Sequence, residues 1–175
     1  RFTKADIMAS IEAHPPLGDF HGTRPGEPMI LHTTSGTTGR PKATMHFHRD
    51  MMAICDAYAM NVLRPEPDDI FIGSPPLAFT FGLGGLAVFP LRVCATATLI
   101  ETATPPNLVK YIDAYRATVV FTAPTAYRVL LGALKDGADF SSLRLAVSAG
   151  ETLPKPVYDD WIAKTGVEIL DSMGS

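Results

Sequence analysis

Apolar and polar positions along the chain change period several times, and each change marks an element. Phe2, Ile7, Met8 and Ile11 give residues 2–13 a weakly helical spacing. His14-Pro15-Pro16 ends it, because proline disfavours helix in the residue before it. A Pro/Gly-rich connection leads to the apolar run Pro28-Met29-Ile30-Leu31, which reads as a strand, and a second short run follows at Ala43-Thr44-Met45-His46-Phe47. Residues 48–63 carry Met51, Met52, Ile54, Cys55, Tyr58, Ala59 and Val62 at helical spacing, predicting one buried face with Met51 and Met52 as core filler. A Pro- and charge-rich loop over 64–69 precedes a buried strand at Ile70-Phe71-Ile72. Ser74-Pro75-Pro76 breaks that strand, and a Gly-rich apolar segment runs over 79–91.

Beyond this point the alternation is regular. Residues 94–100 are strand-like. Pro105 opens a helix with Leu108, Ile112 and Tyr115 on one face. A strand at 118–121 is followed by a helix opened by Pro124, with Tyr127, Leu130, Leu131 and Leu134. Leu143, Leu145 and Val147 alternate as a strand; Pro154 begins a helix with Val157, Trp161 and Ile162, which Gly166 ends; residues 167–170 form a last strand. Strand–helix–strand repetition predicts an α/β fold with a largely parallel sheet and flanking helices, with ligands at the carboxyl ends of the strands.

Composition narrows the classes. The 175 residues are 46% hydrophobic and 19% charged, enough apolar mass for a core. A net charge of −3 speaks against nucleic acid held on a basic face. No apolar run reaches the ~18 residues of a membrane span. Cys55 and Cys94 lack metal or redox spacing and read as two buried free thiols, which suits a cytoplasmic protein. His46 and His48 form a His-x-His pair without a third ligand nearby and read as ordinary structure. Asp159, Asp160 and Lys155 read as a solvated helix face.

The chemistry concentrates between the first two strands. Thr33-Thr34-Ser35-Gly36-Thr37-Thr38-Gly39-Arg40-Pro41-Lys42 joins glycines, hydroxyls and a terminal lysine in one loop. Glycines allow close backbone approach, successive N–H groups and hydroxyls make an anion-binding concavity, and Lys42 adds a point charge for phosphate. The spacing is not that of the NTPase P-loop: Gly36 and Gly39 are too close, Arg40-Pro41 separates the second glycine from Lys42, and Ala43 follows the lysine where Ser or Thr is required.

The pattern Thr-Ser-Gly-Thr-Thr-Gly-x-Pro-Lys resembles the phosphate loop of the adenylate-forming (AMP-binding) superfamily of acyl- and aryl-CoA synthetases, luciferases and peptide-synthetase adenylation domains. The resemblance runs from Met29 to Ser175 through further segments. Pro76-Leu77-Ala78-Phe79-Thr80-Phe81-Gly82 resembles the segment whose aromatic residue stands between acyl pocket and nucleotide; that residue is Phe79 here. For Phe81 and Phe89 a simple core role is the alternative. Phe121-Thr122-Ala123-Pro124-Thr125-Ala126-Tyr127 resembles the strand-to-helix turn bordering that pocket. Ser148-Ala149-Gly150-Glu151-Thr152-Leu153-Pro154 resembles the segment along adenine, in the form that benzoate-type CoA ligases carry. Asp171-Ser172-Met173-Gly174-Ser175 resembles the start of the family's Gly-Ser-Thr-Glu motif, with Met173 at the adenine-stacking position.

The resemblance implies part of the large N-terminal domain of an adenylate-forming enzyme. Residues 1–28 are expected as an incoming helix and connecting loop and 29–175 as a partial AMP-binding domain, with the C-terminal domain absent and an isolated fragment catalytically silent. It implies ATP-binding roles for Thr34, Ser35, Gly36, Thr37, Thr38, Gly39, Lys42, Gly150, Glu151, Thr152, Asp171, Ser172, Met173 and Gly174, with Lys42, Thr37 and Thr38 catalytic. Phe79, Thr80, Phe81, Phe89, Tyr127, Ala149 and Met173 are expected to line the acyl pocket, and no metal ligand is expected within these residues. ATP, Mg²⁺, coenzyme A and a small carboxylate are the implied cofactors and partners. A homodimer stays open. The implied activity is conversion of a benzoate-like acid to an acyl adenylate and then a CoA thioester. The alternatives are a fatty or other acyl-CoA synthetase, a peptide-synthetase adenylation domain, or a silent fragment.

Overall fold

A computed structural model describes residues 3–15, 18, 19, 22–34 and 41–174, which divide into two compact units, 1–50 and 51–175. In the first unit, helix α1 (Lys4–Ala13) starts on a capping box: Thr3 Oγ1 accepts from the Asp6 backbone N–H at 3.2 Å, and the Thr3 N–H donates to Asp6 Oδ2 at 2.8 Å. Its apolar residues Ile7, Met8 and Ile11 are all exposed. Strands β1 (Pro28–Thr34) and β2 (Lys42–Phe47) form an antiparallel pair in which Thr34 faces Lys42, so the hydroxyl-rich loop joins two strands of one hairpin. Helix α2 (His48–Ile54) begins directly after β2.

The second unit is built on a wholly parallel five-stranded sheet in the order β4-β3-β5-β6-β7, from β3 (Ile70–Gly73), β4 (Thr96–Thr98), β5 (Val119–Thr122), β6 (Leu145–Ser148) and β7 (Ile169–Asp171). The expected α/β architecture is present. The chain leaves β3 for the edge strand β4, then crosses back past β3 to β5. That reversal makes the carboxyl ends of β3 and β5 a topological switch point, where doubly wound sheets open a crevice.

Both faces of the sheet are covered, and alternate strand residues serve opposite faces. Ile72, Val120, Ala146 and Ile169 pack under helices α5 (Pro105–Tyr115), α6 (Pro124–Lys135) and α7 (Lys155–Thr165), meeting Leu108, Ile112, Tyr127, Leu130 and Trp161. Phe71, Val119, Phe121, Leu145 and Val147 face the other way, onto Cys55, Ala59, Leu63 and Phe89. Two-sided burial explains why these strands read as continuous apolar runs. Proline opens α5 and α6, and Gly166 at φ +70° ends α7.

Three local expectations need correction, and the Gly-rich segment with no predicted element proves helical. The helix that follows α2 widens over Cys55–Leu63 into turns closed by five-residue bonds, ending with the Arg64 N–H donating to the Ala59 carbonyl at 2.7 Å. Wider turns bring Cys55, Ala59 and Leu63, four residues apart, onto the buried side, while Met52, Ile54 and Val62 are exposed and Met51 is half-buried. Residues 80–92 are helical despite their glycines: α3 (Thr80–Leu83), another wide segment (Gly84–Val88) and α4 (Phe89–Arg92) follow without a break. Tyr115 is exposed and stacks on Tyr111 instead of sharing the buried face of Leu108 and Ile112, and of the two thiols expected to be buried Cys55 is buried but Cys94 is exposed.

At the amino ends of the strands, Asp69 is buried and accepts hydrogen bonds from Arg144, from Thr118 Oγ1 (2.6 Å) and from the Glu66 N–H (2.8 Å). Burial alone pushes its carboxyl up, but those donors outweigh burial and hold it below the ordinary carboxylate value. Among the described residues no helix is long and apolar enough to cross a membrane.

Candidate functional site

A cavity of about 530 Å³, within the usual range for small-molecule sites, opens on the Phe121 face of the sheet at the strands' carboxyl ends. Its floor is sheet: Phe121 from β5 and Val147 from β6. Ile54 and Tyr58, one helical turn apart, form one wall, and Phe79, Thr80, Phe81, Gly84 and Phe89 form another. The rim is Ala149-Gly150 after β6 and Ser172-Met173-Gly174 after β7.

The wall stands where it does because two glycines let the helical segment approach β5 and the loop that follows β3. A Cβ on Gly85 would lie 2.4 Å from Cδ1 of Phe121, and one on Gly82 would lie 2.1 Å from the Pro76 carbonyl oxygen. The rings inside are mutually packed: Phe121 lies 5.5 Å from Phe81 and 6.5 Å from Phe89 between centroids, and Phe89 lies 5.6 Å from Tyr58. At the switch point Ser74 Oγ and Thr122 Oγ1 share a 2.6 Å hydrogen bond, and the Ser74 N–H donates to the Phe121 carbonyl, tying the ends of β3 and β5 together.

Of the residues expected to line an acyl pocket, Phe79, Thr80, Phe81, Phe89, Ala149 and Met173 come together around this cavity. Phe79 and Met173 are exposed at its mouth, whereas Phe89 is both core and lining, so its two readings are compatible. Tyr127 does not belong there. It is fully buried on the opposite face of the sheet, edge-on to Trp161 at 5.1 Å, with its hydroxyl donating to the Val147 carbonyl at 2.9 Å. Helix α6 packs on that other face, which a pattern read from the chain alone does not reveal. Burial drives the Tyr127 hydroxyl pKa well above its ordinary value.

Of the residues expected to bind ATP, Gly150, Ser172, Met173 and Gly174 are on the cavity rim. Glu151, Thr152 and Asp171 are exposed beside it but do not line it. Gly150 takes φ +90°, and a Cβ there would meet nothing within 4 Å. The backbone at Gly150 is therefore open at the cavity rim. Thr34 and Lys42 are paired at the loop end of the β1–β2 hairpin, with Lys42 exposed. Ser35, Gly36, Thr37, Thr38 and Gly39 lie outside the described residues. Among the described residues no three His, Cys, Asp or Glu side chains gather into a metal site, and His46 packs edge-on to His32. Phe121 lies in the strand-to-helix turn expected to border the pocket, whereas the periodicity marks Tyr58 and Val147 only as helix and strand residues. The i, i+4 spacing of Ile54 and Tyr58 was the one signal for that wall.

Comparison with known proteins places these features in context. The chain matches the family described as AMP-binding enzyme over residues 5–175. It is 36% identical to benzoate–CoA ligase of Thauera aromatica over 157 residues, covering 87% of this chain and 29% of that protein. It is 34% identical to anthranilate–CoA ligase of Pseudomonas aeruginosa, covering 89% and 30%. Among solved structures, the anthranilate CoA ligase AuaEII in complex with anthranoyl-AMP superposes with a TM-score of 0.85 at 36% identity, over 94% of this chain and 32% of that one. A benzoate CoA ligase from Burkholderia xenovorans LB400 gives 0.83 at 29% identity, over 96% and 34%. The chain therefore spans about a third of the length of these relatives.

Proposed function

The chain belongs to the AMP-binding enzyme family, and on that premise we propose that the protein carrying it activates an aromatic carboxylic acid with ATP and passes the acyl group to coenzyme A in the cytoplasm. In this reading the carboxylate oxygen attacks the α-phosphorus of ATP, the bond to pyrophosphate breaks, and an acyl adenylate remains. The thiol of coenzyme A then displaces AMP to give the thioester.

The supporting observation is the aromatic-walled cavity at the switch point, rimmed by the two strand-end segments. It has the size and chemistry for a ring and no room for charge deep inside, so the carboxylate belongs at the mouth, beside Phe79 and the Ala149-Gly150 strip. The open backbone at Gly150 suits the adenine. Thr34, Ser35, Gly36, Thr37, Thr38, Gly39 and Lys42 would hold the phosphates, Lys42 offsetting the repulsion between two anions as they meet. Mg²⁺, when bound to ATP, supplies further charge neutralisation on the leaving pyrophosphate. The chemistry asks for positioning and electrostatics and needs no protein nucleophile.

Acid-dependent pyrophosphate release by the full-length protein, measured across benzoates and fatty acids with ATP and coenzyme A, tests this. Benzoate-type acids should be turned over best; better turnover of a long fatty acid, or none with any carboxylate, would refute it.

A further inference from the structure

The cavity lining is mostly apolar. Its polar lining side chains are Thr80, exposed at the start of α3, and the pair Tyr58 and Ser172, whose hydroxyl oxygens lie 3.0 Å apart. Both members of the pair are held in place. The Tyr58 ring packs on Phe89, and the Ser172 backbone N–H donates to the Ser148 carbonyl at 2.8 Å. Both are half-buried. Their mutual bond consumes one of two hydroxyl protons, so the second proton and several lone pairs remain for another partner.

We propose that Tyr58 and Ser172 form a polar anchor that selects aromatic acids bearing a hydroxyl or amino substituent on the ring over the unsubstituted acid. The proposal rests on the carboxylate-activating reading above and names its substrate class. A hydroxyl or amino group both donates and accepts, which matches what the pair has left. A bare ring in the same place leaves the pair's free proton facing hydrocarbon after displacing water from it, a mismatch that hydrogen-bonding sites penalise more than apolar ones. The anchor also gives Ser172 a task toward the acid, beside the nucleotide role its motif implies.

Specificity constants for benzoate and for the 2-, 3- and 4-hydroxy- and aminobenzoates, measured with the full-length protein by pyrophosphate release, decide the matter. At least one substituted acid should be preferred over benzoate. Tyr58→Phe, which keeps the ring against Phe89, should lower that preference by about 5- to 10-fold, and Ser172→Ala should lower it in the same sense. A wild-type preference for benzoate over every substituted acid overturns the anchor, as does a preference that moves by less than about two-fold in both variants. In either case turnover of benzoate leaves the carboxylate-activating reading standing. Absence of turnover with every acid overturns that reading and the anchor together.

Discussion

Replacing Gly85 with alanine would place a Cβ 2.4 Å from Cδ1 and 2.7 Å from Cε1 and Cγ of Phe121. That ring is 1% exposed and flanked by Phe71, Phe81 and Phe89, at 6.1, 5.5 and 6.5 Å between centroids, so it has nowhere to retreat. Alanine in a helix interior gains about 1 kcal/mol over glycine, while overpacking a close-packed core costs about 1–3 kcal/mol. The difference is a destabilisation of up to about 2 kcal/mol, and a contact this close to an immobile ring belongs at the upper end. Gly132 is the built-in control. It too lies within a helix, α6, but a Cβ there would meet nothing within 4 Å, so Gly132→Ala should stabilise by about 0.5–1 kcal/mol. Urea unfolding followed by circular dichroism, with the slope checked for constancy, measures both. Midpoints that move in opposite directions support the packing argument. A Gly85→Ala protein more stable than the wild type would refute it, because helix propensity alone would then account for both sites. Since Phe121 also floors the cavity, Gly85→Ala should weaken binding of the acid as well.

Other perturbations probe separate parts. Asp69→Asn should cost about 2 kcal/mol, because Arg144 and Thr118 lose the carboxylate they bond. The folded pKa of Asp69 lies below its unfolded value, so its contribution is present above about pH 4 and disappears as the pH falls through the folded pKa; unfolding midpoints against pH should show this slope in the wild type and a flatter one in the variant. Tyr127→Phe should cost about 1 kcal/mol through the lost bond to the Val147 carbonyl while leaving the ranking of acids unchanged, which separates it from residues lining the cavity. Lys42→Ala should raise the KM for ATP and lower turnover without moving the unfolding midpoint, because Lys42 is exposed at a hairpin end; unchanged ATP kinetics would remove it from the phosphate site.

Local periodicity along the chain was enough to predict most of the strands and helices. Parallel strands buried on both faces read as apolar runs such as Ile70-Phe71-Ile72, and prolines and Gly166 mark helix ends through backbone geometry that depends only on neighbours. The hydroxyl- and glycine-rich loop was legible for the same reason: its residue types and spacing are contiguous.

What the chain alone left undecided is which face each residue serves. Phe121 and Tyr127 are six residues apart on consecutive elements, yet one floors the cavity and the other is sealed behind the sheet, because β5 presents Phe121 to one side and α6 packs on the other. The glycines of residues 80–92 look like helix breakers until the Phe121 ring and the Pro75 and Pro76 backbone are seen to occupy the space a side chain would need. Tyr58 and Ser172 are 114 residues apart and meet only because the widened helix and the end of β7 converge. Secondary structure follows from interactions between near neighbours and is written in order along the chain. A cavity is made by residues distant in sequence whose meeting depends on sheet order, so tertiary structure alone decides its lining.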